Sequence, residues 1–249
     1  MLKLRIIPVL TFNGFGLVKT KQFKNPRMVG NPVQAARVYN SRGVDELAFI
    51  DITASKQKRK LNLKLVGDVI KECFMPVTIG GAVSTIDDIN NLLKIGADKV
   101  AIKSAALTDI EFIREAVDFF GSQCISIAVD GVKKEDNYYI HNELGIDMTV
   151  KDFIARMNVA KVGEFIVTSV DNDGMMGGFD PDLMVLVENC TNIPIIGSGG
   201  AGEPEHFSDL LSKSTIEAIG ASSIYHFTQY TPNDVKYELE KHQKPVRII

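Results

Sequence analysis

The two halves of this chain repeat one another, which restricts the fold to architectures that two similar units can build. Gly80-Gly81 and Gly199-Gly200 lie 119 residues apart, and so do the ends of two apolar runs, Arg5-Ile-Ile-Pro-Val-Leu-Thr11 and Cys124-Ile-Ser-Ile-Ala-Val-Asp130. Glu46-Leu-Ala-Phe-Ile recurs as Glu164-Phe-Ile-Val at an interval of 118. The copies disagree at one chemically decisive position: the first run ends in a threonine where the second ends in a carboxylate.

Short runs rich in Ile and Val alternate with longer stretches of helical periodicity, the pattern of βα units around a parallel sheet. Strands are expected near 5–10, 46–52, 76–80, 99–103, 124–130, 164–170, 194–198 and 217–221. Helices are expected near 32–43, 60–73, 85–95, 108–120, 150–162, 181–190, 204–212 and 232–241. Asn31-Pro32 and Asp180-Pro181 read as N-caps before a first-turn proline, and Ser84-Thr-Ile-Asp87 and Thr149-Val-Lys-Asp152 as capping boxes with Asp for Glu. Strands this apolar need cover on both faces, which a closed barrel inside a helix ring provides. The expected fold is therefore an α/β (β/α)₈ TIM barrel with half-barrel duplication. It occupies residues 1–249 as one domain, with halves of about 1–121 and 122–249. Residues 11–30 read as a long loop after the first strand, and 131–148 as a small hairpin around Tyr138-Tyr139-Ile140.

A hydrophobic fraction of 45% supports a sizeable core, and a net charge of −3 lacks the basic footprint of a nucleic-acid binder. No run approaches the roughly 20 apolar residues of a membrane span. Met1-Leu-Lys-Leu-Arg5 leads straight into a strand, without the features of a signal peptide. Three widely spaced cysteines, Cys73, Cys124 and Cys190, argue against a disulfide framework and for buried thiols in a reducing cytoplasm. The four histidines lack paired spacing, so no metal site and no cofactor are expected.

Reacting groups in such barrels sit at the strand C-termini. Those ends read Thr11, Asp51 with Thr53, Gly80-Gly81-Ala82, Lys103-Ser104, Asp130, Thr168, Ser198-Gly199-Gly200 and Ser222-Ser223. Glycine pairs after the third and seventh strands, each with hydroxyls after the next, offer the amide donors and open space that phosphate needs. Their duplication points to a ligand with two phosphates or two comparable anionic ends. Asp173-Gly174, after the sixth strand, fits an Asx turn as well as a ligand contact. At the opposite strand ends stand Arg5, Glu46, Lys99 and Glu164, which by spacing alone read as ordinary surface charges.

Arg5-Ile-Ile-Pro, Asp51-Ile-Thr-Ala-Ser55, Gly96-Ala-Asp-Lys-Val100, Phe120-Gly-Ser-Gln123, Asp171-x-Asp-Gly174 and Ser198-Gly-Gly-Ala-Gly-x-x-x-His206-Phe207 resemble the cyclase subunit of imidazole glycerol phosphate synthase. The resemblance spans essentially the whole chain. It implies pairing with a glutaminase subunit whose ammonia rises along the barrel axis, and it turns Arg5, Glu46, Lys99 and Glu164 into an ammonia gate, with Asp98 at the partner interface. It implies phosphate or substrate contacts for Asp51, Gly81, Ala82, Lys103, Ser104, Thr168, Asp173, Gly174, Gly199, Gly200, Ser222 and Ser223, and a mobile Lys19 over the substrate. Asp130 matches the second of two catalytic aspartates, but Thr11 replaces the first, Ala82 a glycine and Lys103 an asparagine. A threonine hydroxyl cannot act as general base in place of a carboxylate, because too little of it is deprotonated. Leu10-x₆-Leu17-Val-Lys-Thr20 with Phe23-Lys24 is similar to paralogues from surface-polysaccharide and flagellin-sugar gene clusters. Those paralogues supply ammonia to a third, ATP-using amidotransferase that forms acetamidino sugars. That divergent role is the leading expectation. The histidine-pathway cyclase, acting on the bisphosphorylated ribulosyl substrate with Asp130 joined by Asp51 or Lys19, is the alternative.

Overall fold

The computed structural model describes residues 3–248, so Met1, Leu2 and Ile249, the ends of the expected domain, lie outside the described residues. The chain opens with β1 (Arg5–Phe12), the hairpin strands β2 (Leu17–Lys21) and β3 (Lys24–Gly30), α1 (Pro32–Ser41), β4 (Leu47–Asp51) and α2 (Leu63–Ile70). It continues through β5 (Val77–Gly80), α3 (Ile86–Lys94), β6 (Lys99–Ile102), α4 (Ser104–Thr108) and α5 (Ile110–Phe120). Next come β7 (Ile125–Lys134), β8 (Asn137–Ile140), α6 (Val150–Ala160), β9 (Glu164–Ser169) and α7 (Pro181–Glu188). The last elements are β10 (Ile195–Ser198), α8 (Glu205–Lys213), β11 (Ala218–Ala221), α9 (Ser223–Phe227) and α10 (Pro232–Lys241).

Eight of these strands pair in parallel in the order β1, β4, β5, β6, β7, β9, β10, β11, and β11 pairs back onto β1. The sheet is thereby a closed barrel, and the helices between its strands cover it. Side chains alternate across each strand. On β1 and β4, Ile6, Leu10, Phe12, Leu47 and Phe49 join the large core shared with the helices, whereas Ile7, Val9, Ala48 and Ile50 join Ala101, Ile166, Ile196 and Ala218 in a separate cluster inside the barrel. The same alternation aims Arg5, Glu46 and Lys99 inward at one end of the barrel and Thr11, Lys103 and Asp130 inward at the other.

Lys236 fastens the seam. Its ammonium is fully buried on α10 and bonds Asp45 at 2.9 Å and the Gly43 carbonyl at 3.2 Å, while the other Asp45 oxygen accepts the Ile6 amide at 2.8 Å. The last helix is thus tied to the first strand through one satisfied buried ion pair.

The expected strands and long helices are all present. Residues 11–30, read as a loop, instead form the β2–β3 hairpin, whose two-residue turn is Gln22-Phe23 between the paired Lys21 and Lys24. Both turn residues have positive φ, 50° and 60°, so a hairpin turn forms without the glycine or asparagine that announces one. The hairpin expected within 131–148 is present as the β7 extension and β8. Two short helices went unread, α4 and α9, which begin 119 residues apart. The α3 capping box is Thr85 with Asp88, one residue later than Ser84 with Asp87. Thr149 does cap α6, accepting the Asp152 amide at 3.1 Å, and Asn31 and Asp180 cap α1 and α7. The cysteines are free but half-buried rather than buried, and burial with nearby Glu72 and Asp98 pushes the Cys73 thiol up to about 11. Among the described residues no helix is long and apolar enough to cross a membrane.

Candidate active site

At the N-terminal mouth, side chains from four strands close a ring. Arg5 donates to Glu46 at 2.6 Å and Glu164 at 3.3 Å, and Lys99 donates to both glutamates at 3.0 Å. The Ser126 hydroxyl adds a bond to Glu164 at 2.9 Å. Burial alone pulls the Arg5 guanidinium down, but Glu46 and then Glu164 outweigh it and hold its pKa above the usual value. With Glu46 and Glu164 buried, these are not solvated surface charges of negligible worth. Directly above them the barrel axis is lined by small and aliphatic side chains, Ile7, Ala48, Ala101, Ile166 and Ala218. Asp98 is exposed beside the ring and fixed by the Val77 amide at 2.8 Å. Phe74 and Phe119, on the segments that lead into β5 and toward β7, are 92% and 70% exposed.

The C-terminal mouth gathers most of the expected site residues. Thr11 donates its hydroxyl to the Val18 carbonyl, so it anchors the hairpin to β1. Lys103 forms an ion pair with Asp130, the one carboxylate of the expected acid/base pair. Thr168 stands opposite Asp130 on the neighbouring strand. Lys19 does not reach over an open mouth: it is buried, with its ammonium 2.6 Å from Asp173, which also accepts from Thr20 at 3.3 Å. Gly174 has φ +74°, and a Cβ there would meet the Thr20 carbonyl at 2.1 Å, so the hairpin backbone occupies the space beside it. Of the two readings left open for Asp173-Gly174, the geometry shows a third use, seating the hairpin. Asp51 is equally engaged. It takes both arms of the Arg59 guanidinium, at 2.6 and 2.8 Å, and the amides of Thr53 and Ala54. That carboxylate shapes its own loop and holds a cation at the rim.

The two glycine pairs keep the backbone the phosphate reading needs. Gly81, Gly199 and Gly200 have φ of +128°, +95° and +117°. Ala82 also lies at positive φ, 49°, a conformation that costs a residue with a Cβ about 1–2 kcal/mol. A cavity of about 120 Å³ opens beside Gly81 and Ala82, with Lys60 in its wall. On the other side the Ser222 and Ser223 hydroxyls are buried without a protein partner, as expected of donors that await an acceptor. Ser104 begins α4, next to Lys103. A larger cavity, about 540 Å³, is lined by Asn158, Lys161, Glu188, Cys190 and Asn192 at the ends of α6 and α7, and none of the expected site residues lines it. Among the described residues no cluster of three or more His, Cys, Asp or Glu could hold a metal ion.

Two further groups at the mouth carry no motif that marks them in the sequence. Arg59 belongs to the basic run Lys56–Lys60, where only its fork on Asp51 singles it out. His141 lies within the expected hairpin segment, with its ring 5.5 Å from that of Phe23 and edge-on to it. A second histidine, His226, is held down to about 4 by burial and then by Lys19, and is therefore neutral.

Residues 5–231 match the family model described as histidine biosynthesis protein. The subunit named imidazole glycerol phosphate synthase subunit HisF from Staphylococcus saprophyticus is 41% identical over 99% of this chain and 100% of its own length. The subunit of that name from Clostridium botulinum is 39% identical, over 98% of both chains, and that from an Exiguobacterium species 38%, over 100% of this chain and 98% of its own.

Proposed function

We infer function from a family premise, since the chain belongs to the histidine biosynthesis protein family and resembles its cyclase-type, HisF-like barrels along its full length. It acts as the synthase-type barrel subunit of a glutamine amidotransferase complex. A glutaminase subunit docks at the N-terminal mouth against Asp98 and the exposed Phe74 and Phe119, and its ammonia enters through the Arg5–Glu46–Lys99–Glu164 ring. The observation that carries this reading is the ring itself, four charges paired in a closed circuit beneath an apolar axis. Neutral ammonia can use such a path, whereas an ion would have to shed its hydration to enter the apolar segment. The reading places the complex in a reducing cytoplasm. Its test is Lys99→Ala in the barrel–glutaminase complex. The ammonia that escapes to solvent per glutamine consumed should rise several-fold, and unchanged coupling would count against the gate.

For the reaction at the far mouth, the relatives' names favour cyclisation: the ribulosyl-formimino substrate and ammonia give imidazole glycerol phosphate and an aminoimidazole carboxamide ribotide. Gly81, Ala82 and Ser104 would take one phosphate, and Gly199, Gly200, Ser222 and Ser223 the other. The unpartnered serine hydroxyls support that assignment. A second reading is favoured by one specific observation, that Thr11 is committed to Val18 and Asp130 to Lys103, which leaves no free carboxylate pair. In that reading the barrel hands its ammonia to a third, ATP-dependent amidotransferase, which converts an acetamido to an acetamidino group on a sugar of surface polysaccharide or flagellin glycan. Purified chain given ammonia and the ribulosyl substrate separates the two, because only a cyclase turns that substrate over.

A further inference from the structure

Beyond the barrel rim β7 continues into its ribbon with β8, where Gly131 pairs Ile140 and the His141 amide donates to the Asp130 carbonyl at 2.7 Å. Asp130 and His141 are therefore directly opposite each other, and residues so placed carry their side chains on one face with Cβ atoms about 4.5–5.5 Å apart. Which face is fixed by the neighbours: Tyr138 and Ile140 pack into the core beneath the helices, so Tyr139 and His141 lie on the face toward the mouth. Two more contacts close the group. The Lys103 ammonium that pairs with Asp130 lies 5.8 Å from the centre of the Phe23 ring, and Phe23 in turn stands edge-on to His141. Asp130, Lys103, Phe23 and the half-buried His141 thus form one cluster at the end of the barrel axis.

We propose that His141 is the proton acceptor of this mouth, taking the proton released when ammonia bonds to a carbonyl or imino carbon of the ligand. The proposal rests on the reading that ammonia arrives here. In the step, the nitrogen lone pair forms the new N–C bond and the C=O or C=N π pair moves onto oxygen or nitrogen beside the Lys103 ammonium. One N–H bond then breaks, its proton passing to the imidazole, and the resulting imidazolium faces Asp130. Thr11 cannot fill this place, its hydroxyl being given to Val18, and the Asp130 carboxylate is already held by Lys103. The charged groups around His141 are Lys103 at the end of β6, Asp130 on β7, Glu143 on its own loop and Lys24 on β3. Burial, then Lys103, holds the imidazole below its usual value against the opposing pull of Asp130 and Glu143, so at neutral pH it is an unprotonated base.

Two measurements on the full chain test this. With ring-labelled histidines, the signal missing from His141→Phe identifies His141, and that variant keeps an aromatic ring against Phe23. Asp130→Asn should lower the His141 pKa and Lys103→Met raise it, each by about one unit, and inorganic phosphate should shift its signal. A titration indifferent to both substitutions overturns the proposal. In turnover with ammonia and the ribulosyl substrate, His141→Phe should lower kcat about 100-fold or more, leave KM within about twofold, and abolish the acidic limb of the pH profile. A variant as fast as the unsubstituted chain overturns it as well. A chain inert to that substrate contradicts cyclisation alone, and the histidine titrations then decide the role of His141.

Discussion

Thr11, Ala82 and His226 show how much a single position can say. Thr11 is legible from sequence as the loss of a base, but only its bond to Val18 shows what the hydroxyl does instead. Ala82 sits at φ 49° with a Cβ where glycine would be free of strain, so Ala82→Gly should stabilise the fold by about 1 kcal/mol, measured by urea unfolding. A loss of stability would show that the Ala82 methyl makes compensating contacts. His226 has its pKa depressed to about 4 by burial and Lys19, against about 6.5 for an unfolded histidine. The unfolded chain therefore binds this proton first, and the native state loses stability as pH falls from about 6.5 toward 4. His226→Gln should flatten that part of the Tm–pH curve, and an unchanged slope would assign the acid sensitivity elsewhere. Neither the strain at Ala82 nor the depressed pKa of His226 shows in composition or spacing, since they depend on a backbone angle and on burial that only the assembled barrel supplies.

The barrel strands and long helices were legible because their signals are periodic and redundant. Proline after Asn31 and Asp180, alternating apolar faces and the repeat interval all point the same way. The β2–β3 hairpin was not. Its strand β3 is exposed and polar, and its turn Gln22-Phe23 adopts positive φ without the usual residues, so local signals read as loop. Tertiary bonds supply what the sequence lacks: the Gln22 amide donates to the Asp173 carbonyl at 2.8 Å, its side chain to Asp171 at 2.9 Å, and Lys19 pairs with Asp173. Lys19→Met would leave the Asp173 carboxylate buried without its cation, a change that costs about 3–5 kcal/mol in comparable buried pairs. Amide protection across residues 17–30 should fall at least 100-fold while the barrel strands keep theirs. Uniform protection after the substitution would show that the hairpin is held by its apolar contacts instead.

At the scale of the molecule the two ends of the barrel have diverged differently. The N-terminal ring is complete and every charge in it has a partner, while the C-terminal mouth keeps its glycine backbone and two buried, unpartnered serine hydroxyls but has a threonine at position 11 and a lysine at position 103. The repeat in the sequence exposes the first difference directly, through Thr11 against Asp130, whereas the capture of Asp130 by Lys103 needed the fold. On the proposed reading, an ammonia entrance persists on a barrel whose acid/base end is altered. The decisive comparison is cyclisation of the ribulosyl substrate with free ammonia by the unsubstituted chain and by Thr11→Asp. Restoring a second carboxylate while keeping Lys103 should raise the rate about 100-fold or more. An unsubstituted chain that cyclises as fast as Thr11→Asp would overturn that reading.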